Sequence, residues 1–202
     1  MTRIKLCGLR RTCDIIAANR LKPEYIGFVF ATKSRRYVTY DKAFELKGLL
    51  HADIKSVGVF VNETPDTVAK ILKSGVIDIA QLHGHETEDY IKVLRALTDK
   101  PLIKAYKVET ENDVSAAENS SADYILLDSG SGTGKTFDWE LIEKIKRPYF
   151  LAGGLCVDNV EEAVKTLSPF AVDVSSGIET NGYKDKNKMA EFVAAVRKGE
   201  TE

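Results

Sequence analysis

The amino-acid sequence predicts an α/β fold, an eight-stranded parallel (β/α)8 barrel built as a compact single domain over residues 1–202. Three observations carry this expectation. Short apolar runs recur along the whole chain, segments of helical period lie between them, and the strand-then-helix unit is counted eight times at about 25 residues each. That unit is short for a fold whose usual length is about 250 residues, and it suffices when the loops are trimmed. An open, doubly wound sheet also alternates strands and helices, so periodicity alone leaves it as the alternative.

In chain order, the expected strands are residues 4–6, 25–30, 57–61, 77–82, 102–105, 124–127, 149–151 and 172–174. Each is the short apolar, β-branched or aromatic run of a strand buried on both faces. The second helix is expected to include His51. The third is framed by Thr64 as N-cap, Pro65 at the first helical position and Gly75 just past the end. Val160, Ala163, Val164 and Leu167 mark the seventh helix, expected to begin at about Asp158, and Met189, Phe192, Val193 and Val196 mark the last. The final polar residues, Arg197 to Glu202, are expected to fray.

Lys and Arg number 29 against 30 Asp and Glu, a formal net charge of -1 without a basic block, so nucleic acid is not an expected partner. No window approaches the roughly 20 apolar residues of a membrane span and no signal-like apolar region opens the chain, which points to a cytoplasmic protein. The three cysteines, Cys7, Cys13 and Cys156, lack C-x-x-C spacing and are expected to be reduced thiols.

In a barrel, chemistry sits where strands end and the following loops begin. Cys7-Gly8 closes the first strand. A lone cysteine is often a small buried hydrophobe, but a strand-end thiol faces the pocket, and the glycine lets a ligand or loop approach. To act as a base it must ionise, and its reference pKa of about 8.5 calls for a nearby positive charge or helix terminus. Asp128 closes the sixth strand, as a turn-former or as a general acid whose pKa partial burial would raise. Gly153-Gly154 and Ser175-Ser176-Gly177 close the seventh and eighth strands. There barrels build phosphate sites from backbone N–H groups and the N-terminus of a short helix.

Ser34-Arg35-Arg36 follows the second strand, either as a solvated loop or as a guanidinium that grips a carboxylate at the barrel mouth. Gln81-Leu82-His83-Gly84-His85 invites a metal reading, yet only His51 remains as a third histidine, so strand-end packing or a substrate contact through Gln81 and His83 is preferred. Residues 129–136, SGSGTGKT, nearly spell a P-loop. Ser129 stands where the first glycine belongs, and the next helix is expected to start late, with Asp138 as N-cap, so a βα loop beside Asp128 is the better account.

With these residues in place, the sequence resembles the phosphoribosylanthranilate isomerase family of tryptophan biosynthesis. The resemblance runs through Lys5-Leu6-Cys7-Gly8-Leu9, Gly27-Phe28-Val29-Phe30, Val57-Gly58-Val59-Phe60-Val61-Asn62, Gln81-Leu82-His83-Gly84 and Leu127-Asp128. It continues in Gly132-Thr133-Gly134 with Phe137-Asp138-Trp139, in Leu151-Ala152-Gly153-Gly154-Leu155, and from Val172 to Glu179. It implies a TIM barrel. It also implies an Amadori rearrangement with Cys7 as general base and Asp128 as general acid, Arg36 on the anthranilate carboxylate, and the Gly154 and Gly177 loops on the phosphate.

No cofactor and no metal are implied, because the protonated imine serves as the electron sink. The implied partner is a small phosphorylated substrate, with no nucleic acid and no membrane, and the chain is expected to be a monomer or homodimer. Similar proteins read Ser-Pro-Arg after the second strand. Arg35 occupies the proline position here, so whether Arg35 or Arg36 binds stays open. A proline usual after Gly-Gly-Leu is also missing, with Val157 nearby. The alternatives are another phosphosugar barrel isomerase or epimerase, or a non-catalytic phosphate- or nucleotide-binding module.

Overall fold

A computed structural model describes residues 1–128, 139–142 and 145–199. The near-P-loop stretch 129–136 and the expected cap Asp138 lie outside the described residues. Strands β1 (Arg3–Cys7), β2 (Tyr25–Val29), β3 (Lys55–Phe60), β4 (Ile79–Leu82), β5 (Leu102–Lys107), β6 (Tyr124–Asp128), β7 (Tyr149–Ala152) and β8 (Ala171–Val174) are all parallel and hydrogen-bonded in sequence order. Pairing of β1 with β8, with Lys5 opposite Asp173, closes the barrel and removes the open-sheet alternative.

Helices α1 (Thr12–Leu21), α2 (Tyr40–Gly48), α3 (Pro65–Lys73), α4 (Glu88–Leu97), α5 (Glu111–Glu118), α6 (Trp139–Ile142) and α7 (Val157–Leu167) follow β1 to β7. After β8 the chain forms a hairpin, β9 (Glu179–Thr180) and β10 (Tyr183–Lys184), before α8 (Lys186–Gly199). Side-chain caps start several helices. The Thr64 hydroxyl accepts from Thr67 N–H ahead of Pro65, and Gly75 takes a φ of +78° just past the end of α3, as the sequence predicts.

Strand alternation sorts the apolar residues into two layers. Tyr25, Val57, Ile79, Ile103, Ala105, Leu126, Phe150, Ala152 and Ala171 fill the barrel. Their neighbours, such as Ile4, Leu6, Phe28, Leu82, Leu127 and Val172, pack outward against the apolar stripes of the helices, including Val160, Ala163 and Val164 of α7 and Met189, Phe192 and Val196 of α8. Cys7 and Asp128 sit at inward positions at the C-terminal ends of their strands, which is the same end of the barrel.

Several boundaries differ from expectation. Val61 lies beyond β3, and Ile77 and Asp78 precede β4, because the Asp78 carboxylate turns back to accept from Ser56 N–H and Oγ at 2.8 and 2.9 Å. His51 is past the end of α2, where its N–H is held by Asn19 Oδ1. Helix α7 begins at Val157, with the Asn159 side chain accepting from Cys156 N–H. The expected fraying at Arg197 does not occur. Its guanidinium binds Thr2 O and Glu24 Oε1 at 2.9 and 2.7 Å, and α8 continues to Gly199.

Candidate active site

The C-terminal strand ends surround a cavity of about 280 Å³. Of the residues singled out in the sequence, Cys7, Arg36, Gln81, His83, Asp128, Gly153, Gly154 and Ser176 line it. Gly177 does not. It stands where the loop after β8 crosses the loop after β7, and a Cβ there would collide with the Leu155 carbonyl. Gly177 therefore sets the approach of the two loops to each other.

Cys7 closes β1 at 7% exposure and packs against Val29 and Val59. Room for its sulfur comes from Gly27 in the adjacent register position of β2, where a Cβ would lie 2.7 Å from Sγ. Two residues back on the same inward face, Lys5 is fully buried, and its ammonium reaches both Asp173 oxygens at 3.0 and 2.9 Å. The positive charge that the sequence reading asks for is thus present, in Lys5 and in Lys184 of β10. It is not enough to lower the thiol. Burial pushes Cys7 up, Asp173 adds to this, and the two ammoniums only partly offset the rise.

Asp128 faces the cavity from β6, with its Oδ2 3.3 Å from His83 Nε2. The other ring nitrogen, Nδ1, is 2.7 Å from Gln81 Nε2. Both nitrogens of His83 are therefore engaged, while His85 is tied through its backbone N–H to Asn62 Oδ1. No group of three His, Cys, Asp or Glu residues among the described residues could hold a metal ion. Gln81 is 1% exposed, and its Oε1 is a buried polar atom without a hydrogen-bond partner among the described residues. It lines the cavity, so a ligand can complete it.

The arginine loop is ordered by Ser34, whose hydroxyl accepts from Arg36 N–H at 3.1 Å. Arg36 lines the cavity, while the Arg35 side chain is 62% exposed and does not. Arg36 also makes a two-point pair with Glu179, Nε to Oε1 at 2.6 Å and Nη2 to Oε2 at 2.9 Å. Lys184 Nζ completes the cluster at 2.7 Å from Glu179 Oε1 and 2.8 Å from Ser175 O. Burial works against a charged Glu179, but hydrogen bonds from Arg36 and Lys184 outweigh it and hold the carboxyl at about 2.

After β8 the chain makes a turn, with Glu179 N–H donating to Ser176 O, and then the β9–β10 hairpin. Asn181 and Gly182 both take positive φ at its tip, and Arg11 binds the Lys184 carbonyl at 2.6 Å. The Asn-Gly pair was the available signal for this hairpin. Lys5, Asp173, Glu179 and Lys184 were all missed in the sequence. Lys5 and Asp173 carried a signal of their own, as charges placed at inward positions of otherwise apolar runs.

Comparison with known proteins matches this geometry. A family model described as N-(5'phosphoribosyl)anthranilate (PRA) isomerase covers residues 4–195. The chain is 46% identical over 202 residues to the N-(5'-phosphoribosyl)anthranilate isomerase of Endomicrobium trichonymphae, covering 98% of this chain and 99% of the relative. Its fold superposes on the crystal structure of phosphoribosyl anthranilate isomerase from Thermotoga maritima with a TM-score of 0.90 at 35% identity, covering 98% and 99% of the two chains. A crystal structure of such an isomerase in complex with reduced 1-(o-carboxyphenylamino)-1-deoxyribulose 5-phosphate superposes at 0.87, with 34% identity and coverage of 98% and 99%. A closed eight-stranded barrel, a thiol and a carboxylate facing one cavity, and identity along nearly the whole length agree: the chain belongs to the N-(5'-phosphoribosyl)anthranilate isomerase family.

Proposed function

We propose that the chain converts N-(5-phosphoribosyl)anthranilate into 1-(2-carboxyphenylamino)-1-deoxyribulose 5-phosphate, with Asp128 as general acid and Cys7 as general base. Asp128 gives its proton to the ribose ring oxygen while the anthranilate nitrogen lone pair breaks the C1–O bond, leaving a protonated imine. Cys7, as thiolate, takes the proton from C2, and the C–H electrons move into the C1–C2 bond as the imine nitrogen becomes an amine. The resulting enolamine tautomerises to the ketone. The protonated imine accepts the electron pair, so the sequence of steps calls on no cofactor.

The observation that carries this reading is the placement of Cys7 and Asp128 on one cavity, from strands β1 and β6. Arg36 is assigned to the anthranilate carboxylate, with its cavity-lining position in support. Gly153, Gly154 and Ser176, which line the cavity, are assigned to the phosphate, with Gly177 placing the loop that carries Ser176. Gln81 and His83 are assigned to substrate contact, supported by the unpartnered Gln81 Oε1. The enzyme is read as one domain over residues 1–202, cytoplasmic, in keeping with three free thiols, and as a monomer or homodimer. The Thermotoga maritima relative is dimeric and has also been crystallised as monomers.

The test generates the unstable substrate from anthranilate and phosphoribosyl pyrophosphate with a coupling transferase and follows its fluorescence. Wild type should consume it, and Cys7→Ala and Asp128→Asn should each lose at least about a hundredfold in kcat. Full activity in either folded variant removes that residue's role.

A further inference from the structure

Why does the barrel bury a lysine directly beneath its reactive thiol? Lys5 and Cys7 are two apart on β1 and both point inward, so the ammonium occupies the layer below the sulfur. Register places Asp173 of β8 opposite Lys5, and both carboxylate oxygens bind Nζ. Asp173 also lines the cavity. A buried ion pair is a poor device for stability, because the desolvation of two charges offsets their attraction, and an apolar pair would fill the barrel at lower cost. Its position beside a thiol that must ionise gives it a use.

We propose that Lys5 is a positioning residue that acts through Cys7: clamped by Asp173, its buried ammonium stands below the sulfur and supplies the compensating charge when the thiol gives up its proton. This rests on the reading of Cys7 as the base. The charged groups that act on Cys7 are Lys5 on its own strand, Asp173 from β8 and Lys184 from β10. Lys5 and Lys184 favour the thiolate and Asp173 disfavours it, so removing Lys5 and removing Asp173 must move the thiol in opposite directions. Burial works against the charge on Lys5, and Asp173 together with the Cys7 sulfur itself outweighs it.

The experiment measures the rate of alkylation of Cys7 by iodoacetamide from pH 6 to 11, quantified by mass spectrometry of the Cys7 peptide so that Cys13 and Cys156 do not contribute. Variants are Lys5→Met, Asp173→Asn and the charge-free double variant. Lys5→Met should raise the alkylation midpoint by about one pH unit or more, lower kcat at least about tenfold at pH 7, and leave KM within about twofold. Asp173→Asn should lower the midpoint, and the double variant, which loses the smaller opposing effect of Asp173 along with Lys5, should lie between wild type and Lys5→Met. If Lys5→Met does not fold, the double variant reports the same loss of charge in a paired, neutral core.

An unchanged midpoint in folded Lys5→Met or in the double variant overturns the proposal, as does a shift of both single variants in the same direction. The reading of Cys7 as base fails separately, through an active Cys7→Ala protein. The alkylation midpoints need no turnover and would still report on Lys5.

Discussion

The His83 imidazole bridges Gln81 and Asp128, with Nδ1 2.7 Å from Gln81 Nε2 and Nε2 3.3 Å from Asp128 Oδ2. With Gln81 donating to Nδ1, the ring carries its proton on Nε2 and turns it towards an ionised Asp128. With the amide turned over, Nδ1 donates to Gln81 and Nε2 accepts from a protonated Asp128. The bridge therefore accommodates the carboxyl both before and after it delivers a proton. His83→Ala should lower kcat by about ten- to a hundredfold, the scale of a misplaced catalytic group, while KM changes less. Steady-state kinetics check this, and unaltered kcat would confine His83 to substrate contact or packing.

A buried base with a raised pKa predicts a distinct pH profile. The thiol proton must leave before Cys7 can act, so kcat/KM for wild type should climb with increasing pH and reach its half-maximum on that limb above the ordinary thiol value of about 8.5. Linkage gives the matching stability effect. Because burial raises the folded-state pKa, the contribution of Cys7 is complete below the unfolded value and declines as pH rises through the folded one. Cys7→Ala should flatten that alkaline decline in the melting temperature. A kcat/KM limb at or below neutrality would contradict the desolvated environment of the sulfur.

The strands were legible in the sequence because a parallel barrel strand buries both faces, so each appears as a short apolar run between helical periods. Their ends were less so. Phe30 and Val61 look like strand residues, yet the ladder stops at Val29 and Phe60 because pairing depends on the neighbouring strand. The cavity-lining residues after β1, β4, β6 and β7 were visible as polar or glycine breaks in apolar runs. The Asn181-Gly182 pair offered a signal for the turn of the Glu179–Lys184 hairpin, but its contacts to Arg36 and Arg11 were not legible, because they span more than a hundred residues. Local pattern carries no information about such pairings.

Gly8 holds a φ of +79°, and a Cβ there would sit 2.5 Å from Arg36 Cδ. The glycine is thus required twice, by the backbone and by the methylene stem of Arg36 passing over it. Gly8→Ala should destabilise the fold by about 1–3 kcal/mol and displace Arg36 from Glu179. Under the assignment of Arg36 to the anthranilate carboxylate, KM should rise several-fold more than kcat falls. Denaturant unfolding and kinetics on the same preparation check both. Unchanged KM alongside the stability loss would detach Arg36 from substrate binding.

Acid should unfold the protein through its engaged carboxylates, among them the buried Glu86. Its two oxygens accept from Asn62 N–H at 2.7 Å, Gly84 N–H at 2.8 Å and the buried Lys104 ammonium at 3.1 Å. Burial opposes the charged form, but these donors outweigh it and depress the Glu86 pKa. A depressed folded-state pKa gives stability that is complete above the unfolded value of about 4.3 and is lost as pH falls through the folded one. Glu179, held at about 2, extends the same loss further into acid.

Melting temperature should therefore be nearly level from pH 7 to 5 and fall steeply between about 4.5 and 2. Removing Glu86 strands Lys104 without its carboxylate and leaves two backbone N–H groups without acceptors. Glu86→Ala should thus cost about 3–5 kcal/mol at pH 7 and weaken the acid dependence that remains. Because Gly84 follows His83 directly, the same change should loosen the histidine beside Asp128 and lower kcat. Calorimetry across pH tests the first expectation and kinetics at a permissive temperature the second. A folded Glu86→Ala protein with wild-type acid sensitivity would show that the loop after β4 is held by something other than this carboxylate.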